Sequence, residues 1–182
     1  MIYPIVAYGD PVLRKKTNEV AFDNELKTLI ENMYETMYNA NGVGLAAPQV
    51  GKDVRVFVVD ATPMSEEVGE FKKAFINPII EKEWGDEWAY EEGCLSIPSV
   101  RADVSRPEKL TIAYYDVDGN KYTEEYEGLI ARVIQHEYDH IEGVLFTDHL
   151  QPLKKRLLKK KLTNISKGIV DVAYRMKFPL GK

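Results

Sequence analysis

The chain contains one cysteine, Cys94, among 182 residues. That excludes an intramolecular disulfide framework and makes a reducing, cytoplasmic setting the default expectation. No stretch approaches the roughly 18 uninterrupted apolar residues of a membrane helix, so no membrane role is expected. The opening Met1-Ile2-Tyr3-Pro4 lacks the basic region, apolar run and small-residue cleavage site of a secretory signal. There is no internal repeat, no low-complexity tract and no Gly/Ser linker, so residues 1–182 are expected to form a single catalytic-sized domain. At 45% hydrophobic and 29% charged residues, the composition is that of a globular chain able to close its own core.

Charge is unevenly distributed. The net charge is -5, yet residues 151–182 hold ten Lys/Arg against one Asp. The densest part runs Lys154-Lys155-Arg156-Leu157-Leu158-Lys159-Lys160-Lys161. A solvated helix face is the plain reading of such a run, and attraction to phosphate is the functional one. The acidic body gives no reason to expect sequence-specific nucleic-acid binding.

Asp23 and Asn24 are cap residues for a first helix reaching about Asn39, with Leu26, Leu29, Ile30, Met33 and Met37 on one stripe. The run Asn41 to Gly51, with three Gly and one Pro, ends that helix in a tight loop. Val54–Val59 reads as a strand, residues 61–73 as a loop, and Ala74–Glu83 and Trp88–Ile97 as further strands. Asp116-Val117-Asp118-Gly119-Asn120 marks a hairpin between Leu110–Tyr115 and Lys121–Tyr126. A second helix is expected from near Gly128 to about Glu142. A third is expected from about Gln151 to Arg175, weakened at Gly168. This order is α+β with antiparallel or mixed sheets, and it lacks the repeated βαβ units of a parallel fold.

The second helix carries Gln135-His136-Glu137-Tyr138-Asp139-His140. Side chains four apart share a helix face, so both imidazoles can reach one ion while Glu137 reaches a water beside it. With three histidines in the chain, chance would produce this spacing with its Glu in about 0.3% of such sequences. The flanking Ile130, Val133 and Ile134 make the helix a buried one, where two histidines without a shared partner would be costly. A catalytic site of this type needs a third protein ligand and an open position for water. His149 and Cys94 are the candidates. Cys94 is favoured, because a flexible Gly precedes it and Pro98 ends regular structure soon after. The expected architecture is therefore a set of sheets packed around a central metal-binding helix, with an N-terminal helix and a long basic C-terminal helix over 151–182.

Three segments in order resemble the peptide deformylases. Gly42-Val43-Gly44-Leu45-Ala46-Ala47-Pro48-Gln49 is similar to the family's first motif, Glu92-Gly93-Cys94-Leu95-Ser96 to its second, and Gln135-His136-Glu137-Tyr138-Asp139-His140 to its third. Gly9-Asp10-Pro11-Val12-Leu13-Arg14 adds to the likeness. Ile141, where Leu is usual, and Asn41, where an acidic residue is frequent, depart from the pattern outside the chemistry. The resemblance implies a hydrolase that removes the formyl group from formyl-methionine at the start of nascent polypeptides and releases formate. It implies Cys94, His136 and His140 as ligands of one divalent ion. Ferrous iron is the expected native metal, and Zn²⁺, Ni²⁺ or Co²⁺ are alternatives that a thiolate and two imidazoles also accept. Glu137 would move the proton, and Gln49 with the backbone N–H of Leu95 would stabilise the oxyanion. Val43, Gly44, Leu129 and Val133 would line the methionine slot, with Gly93 alongside the peptide backbone. Arg101 is expected near that groove, and Arg106 is expected to pair with Asp139. Docking of the basic tail near the ribosomal exit is a further expectation.

Two other readings compete. An endopeptidase would share the metal and the base but not the Cys ligand or the two upstream motifs. A structural metal module would fill all four ligand positions with protein, whereas three residues recommend themselves here.

Overall fold

The computed structural model describes residues 1–181. Helix α1 spans Asn24–Asn39, where the Asp23 side chain accepts from the Leu26 N–H at 2.8 Å and caps it. Leu26, Ile30, Met33 and Met37 are its buried face. After α1, the short strand β2 (Gly44–Ala46) leads through one 3-10 turn, Ala47–Val50, to β3 (Val56–Asp60). Strands β4 (Lys72–Cys94), β5 (Ile97–Tyr115) and β6 (Lys121–Glu127) complete a five-stranded antiparallel sheet in the order β2-β3-β4-β5-β6. Helix α2, Gly128–Ile141, packs against β2, β3, β5 and β6. Its buried face, with Ala131, Val133, Ile134 and Ile141, joins Phe57, Phe75, Leu110 and Ile112 in one hydrophobic cluster. The α+β architecture around a central helix is thus the one expected.

The long β4–β5 hairpin serves two cores. Its base, with Leu110 and Ile112, belongs to the α2 cluster, whereas Val100, Ala102 and Val104 near its tip pack with Leu13, Phe146 and Leu162. Register shifts lie between Ile76 and Ile79, Ile80 and Lys82, Trp84 and Glu87, and Gly93 and Cys94. Such bulges bend and twist a strand, and here they carry one hairpin across both clusters. At the tip Gly93 faces Arg101 while Cys94 faces Ile97, so Pro98, Ser99 and Val100 are looped out of the ladder. Cys94 is thereby set at the edge of a two-residue turn, Leu95-Ser96.

Three expectations are corrected. The separate strands expected at 74–83 and 88–97 merge into one continuous strand that ends at Cys94, because Gly85 (φ +86°) and its neighbours are absorbed as a bulge, while Leu95-Ser96 turns the chain and Ile97 opens β5. The stretch 61–73 contains two short 3-10 turns, Thr62–Met64 and Glu66–Val68, before β4 begins. The C-terminal helix does not run to Arg175: α3 covers Pro152–Ser166, and Gly168 at φ +76° turns the chain out of it. The residues beyond α3 return as β7 (Met176–Lys177), which pairs in parallel with β1 (Ile5–Val6). Among the described residues, no helix is long and apolar enough to cross a membrane.

Candidate metal centre and substrate cleft

Helix α2 and the tip of the β4–β5 hairpin bring three donors together. The ligand atoms of Cys94, His136 and His140 all lie within 4.8 Å of one another, with Cys94 Sγ 3.3 Å from His140 Nε2. His149, the other third-ligand candidate, is drawn off to Asp139 at 2.8 Å. The donor set fits a divalent ion. His136 turns one nitrogen outward, where its Nδ1–H donates to Glu92 Oε1 at 2.8 Å. This leaves Nε2 for the cluster, the usual way an outer carboxylate orients a ligating histidine. Burial, followed by the charge of His136, pushes the His140 imidazole down to about 3, so it stays neutral and keeps its lone pair. For His136 burial works the other way from the outcome: hydrogen bonds to Cys94 and Glu92 outweigh it and raise the imidazole above its ordinary value. A cation in the cluster would displace that proton, as metal binding does at histidine ligands.

Glu137 is 4% exposed and its Oε2 is buried without a protein partner, as is His140 Nδ1. Burial raises the Glu137 carboxyl to about 7, against the nearby charge of His136. A carboxyl near neutrality can both take and return a proton. Gly44 of β2 lies directly against it: a Cβ there would sit 2.5 Å from Glu137 Oε1 and 2.9 Å from its Cγ and Cδ. Only glycine permits that approach.

Glu92 ties the site together, a part that its place in a sequence motif alone does not reveal. Its carboxylate accepts from Arg106 Nε (2.8 Å) and Nη2 (3.0 Å), from Arg132 Nη1 (2.9 Å) and from His136 Nδ1. Burial alone would raise this carboxyl; the hydrogen bonds from His136 and Arg106 hold it well below the usual carboxylate range. Arg106 also donates to Asp139 at 2.9 Å, the expected brace on the metal helix. Arg132, 2% exposed, donates to the carbonyls of Val104 (2.7 Å) and Trp88 (2.6 Å) and lies over the Trp88 ring. A charged residue in the otherwise apolar run Leu129–Ile134 was the signal for it.

Gln49 is 1% exposed. Its Oε1 accepts from the Ala46 N–H at 3.0 Å, and its Nε2 points at Cys94 Sγ (3.5 Å) and Ser96 Oγ (3.2 Å). Gln49, Cys94, His136, Glu137, Glu92 and Arg132 border one open cavity of about 510 Å³. Of the residues expected to meet substrate, Val43, Gly44, Gly93, Arg101 and Val133 line it together with Leu95. Leu129 does not: it is half-buried one turn earlier on α2, and the wall there is made by Arg132 and Val133. Asp171–Tyr174, from the segment after α3, also line the cavity. Nothing in the sequence flagged them, because a helix was expected there.

Comparison with known proteins agrees with this arrangement. The family model for polypeptide deformylase matches residues 2–156. A peptide deformylase of Cytophaga hutchinsonii is 61% identical over 184 residues, with 100% of both chains covered. One from Salinibacter ruber is 48% identical, over 96% of this chain and 93% of the relative. The crystal structure of a peptide deformylase from Legionella pneumophila superposes with a TM-score of 0.82 at 41% identity, covering 90% of this chain and 95% of that one. The chain belongs to the peptide deformylase family, the hydrolases that take the formyl group from the N-terminal methionine of nascent peptides.

Proposed function

We propose that Cys94, His136 and His140 hold one divalent ion, and that Glu137, Gln49 and Leu95 perform the deformylation beside it. The observation that carries this reading is the meeting of the three donor atoms within 4.8 Å, next to a buried carboxylate with an unpaired oxygen. When bound, such an ion polarises the formyl carbonyl and brings the pKa of water from about 15.7 towards about 7. Water adds to the formyl carbon while Glu137 takes its proton. The carbonyl oxygen then becomes an oxyanion, met by Gln49 Nε2–H and the Leu95 N–H. Glu137 returns the proton to the amine as the C–N bond breaks, and formate and a free N-terminus leave. Each oxyanion donor is expected to contribute about 3–4 kcal/mol to the transition state. Val43, Gly44 and Val133 accept the methionine side chain in the apolar part of the cavity. Gly93 lets the peptide backbone lie close, and Arg101 borders its onward path.

Fe²⁺ is the proposed native metal, with Zn²⁺, Ni²⁺ or Co²⁺ as replacements. The iron form should lose activity in air, since a half-buried, metal-bound thiolate at an open cleft remains open to oxidation; iron-verified activity that ignores oxygen would refute this. The proposed setting is the cytoplasm, on nascent chains. There the basic face of α3 meets ribosomal phosphate, a reading supported by its run of lysines. Lys161 already donates to the Ser99 carbonyl, so the clean test neutralises Lys154, Lys155, Lys159 and Lys160 alone. Unchanged ribosome binding by that variant would end the idea.

Formate release from formyl-Met-Ala-Ser, measured with metal content, tests the function itself. Glu137→Ala should retain metal and lose hydrolysis. A variant that hydrolyses normally, or a wild-type chain that cleaves internal casein peptides instead, would overturn the assignment.

A further inference from the structure

Beyond α3 the chain doubles back, and the returning segment is fixed at two places after Tyr174. The Leu180 N–H donates to the Ser166 carbonyl at 2.9 Å. On the other side, Ile5 N donates to Arg175 O and Ala7 N to Lys177 O, both at 2.9 Å, as β7 pairs with β1. Tyr174 immediately precedes this pairing. It is half-buried, lines the same cavity as Cys94 and Glu137, and its hydroxyl donates to the Leu95 carbonyl at 2.7 Å.

Leu95 is the first residue of the two-residue turn between β4 and β5. In such a turn its N–H stands outside the strand ladder and is available to a ligand. Its neighbour Ser96 is held twice: its carbonyl accepts from the Tyr8 N–H at 2.8 Å, and its Oγ from Gln49 Nε2 at 3.2 Å. The tie on Leu95 comes from Tyr174. A carbonyl fixed on one side of a Cα limits how far the N–H on the other side can swing. That matters because an oxyanion donor must sit about 2.7–3.1 Å from the oxygen that develops charge.

We propose that Tyr174 is a positioning residue for deformylation, holding the Leu95 peptide so that its N–H meets the oxyanion. The inference rests on the oxyanion reading of Leu95 and Gln49 given above. It gives the C-terminal segment a part in the chemistry, in addition to closing one wall of the cleft.

The test compares wild type, Tyr174→Phe and Gln49→Leu as metal-loaded proteins acting on formyl-Met-Ala-Ser. The Phe variant deletes one hydroxyl and keeps the ring. Its kcat should fall by about 5- to 20-fold, since small displacements of a positioned group can cost up to about 100-fold. Its KM should stay within about twofold and its unfolding midpoint should fall by no more than about 6 °C, as expected for one partly exposed hydrogen bond. Gln49→Leu should lose about 100- to 1,000-fold in kcat. An unaltered kcat in Tyr174→Phe, with Gln49→Leu impaired, overturns the role of Tyr174 alone. So does a loss confined to KM, or one that accompanies a large drop in midpoint, because either would make Tyr174 a wall or an anchor. Full kcat in Gln49→Leu overturns the oxyanion reading, and the Tyr174 proposal falls with it.

Discussion

Glu92→Gln keeps the shape of a side chain that is 5% exposed and removes its charge. Two carboxylate oxygens now accept four donors, from Arg106 twice, Arg132 and His136. An amide has one accepting oxygen, and its NH₂ would face donors. About two of the four hydrogen bonds must be lost on that count. Arg106 would retain Asp139, but Arg132 would keep only carbonyl partners. Removing one member of a buried ionic group costs about 3–5 kcal/mol. For a chain of this size, each kcal/mol moves the unfolding midpoint by about 2–4 °C. A fall of roughly 6–20 °C is therefore expected in the metal-free protein. His136 also loses the acceptor that orients it, so metal affinity should drop about 10- to 100-fold. Thermal unfolding of the metal-free chain and a chelator competition read the two effects separately. Glu91→Gln, at the exposed neighbouring position, is the control and should leave both unchanged. A Glu92→Gln protein within 2 °C and twofold of wild type would refute the view that this carboxylate organises the site.

Two further outcomes follow from the same structure. Gly44→Ala should fold but lose more than about 100-fold in kcat, because its Cβ would displace Glu137; a variant with near-normal turnover would show that the contact is not confining. Asp148 accepts from Arg14 at 2.6 Å and from the Leu145 N–H at 2.9 Å; burial favours the neutral carboxyl, but these bonds outweigh it and hold the group below its ordinary value of 3.8. A depressed carboxyl contributes stability above its ordinary value and loses it as pH falls. The midpoint gap between wild type and Asp148→Asn should accordingly be present at pH 7 and shrink below about pH 4, and a gap that widened in acid would contradict the sign.

What was readable in the sequence follows how local each feature is. Helix α1 begins and ends where expected because its cap, Asp23, its stripe from Leu26 to Met37 and the glycine loop after Asn41 are local signals. The Asp118-Gly119 turn is equally local. The metal donors were legible because their chemistry lies in the side chains themselves: a thiol and two imidazoles with a Glu between them. The β1–β7 pairing was not, since strands of two residues have no periodicity and their partners lie at opposite ends of the chain. Gly85 reads as a break in isolation, yet the partner strand absorbs it as a bulge. Arg132 stands out locally as a charge in an apolar run, but its partner Glu92 does not, and nothing local marks Tyr174 or its tie to the Leu95 carbonyl, because packing partners far along the chain leave no trace beside the residue.

The central claim is that one thiolate and two imidazoles share an ion. X-ray absorption at the zinc edge of the zinc-loaded protein measures this directly. The expected spectrum contains one sulfur at about 2.3 Å and two nitrogens at about 2.0–2.1 Å, with the remaining position filled by a light oxygen donor. A first shell without sulfur, or one with four protein ligands, would contradict it.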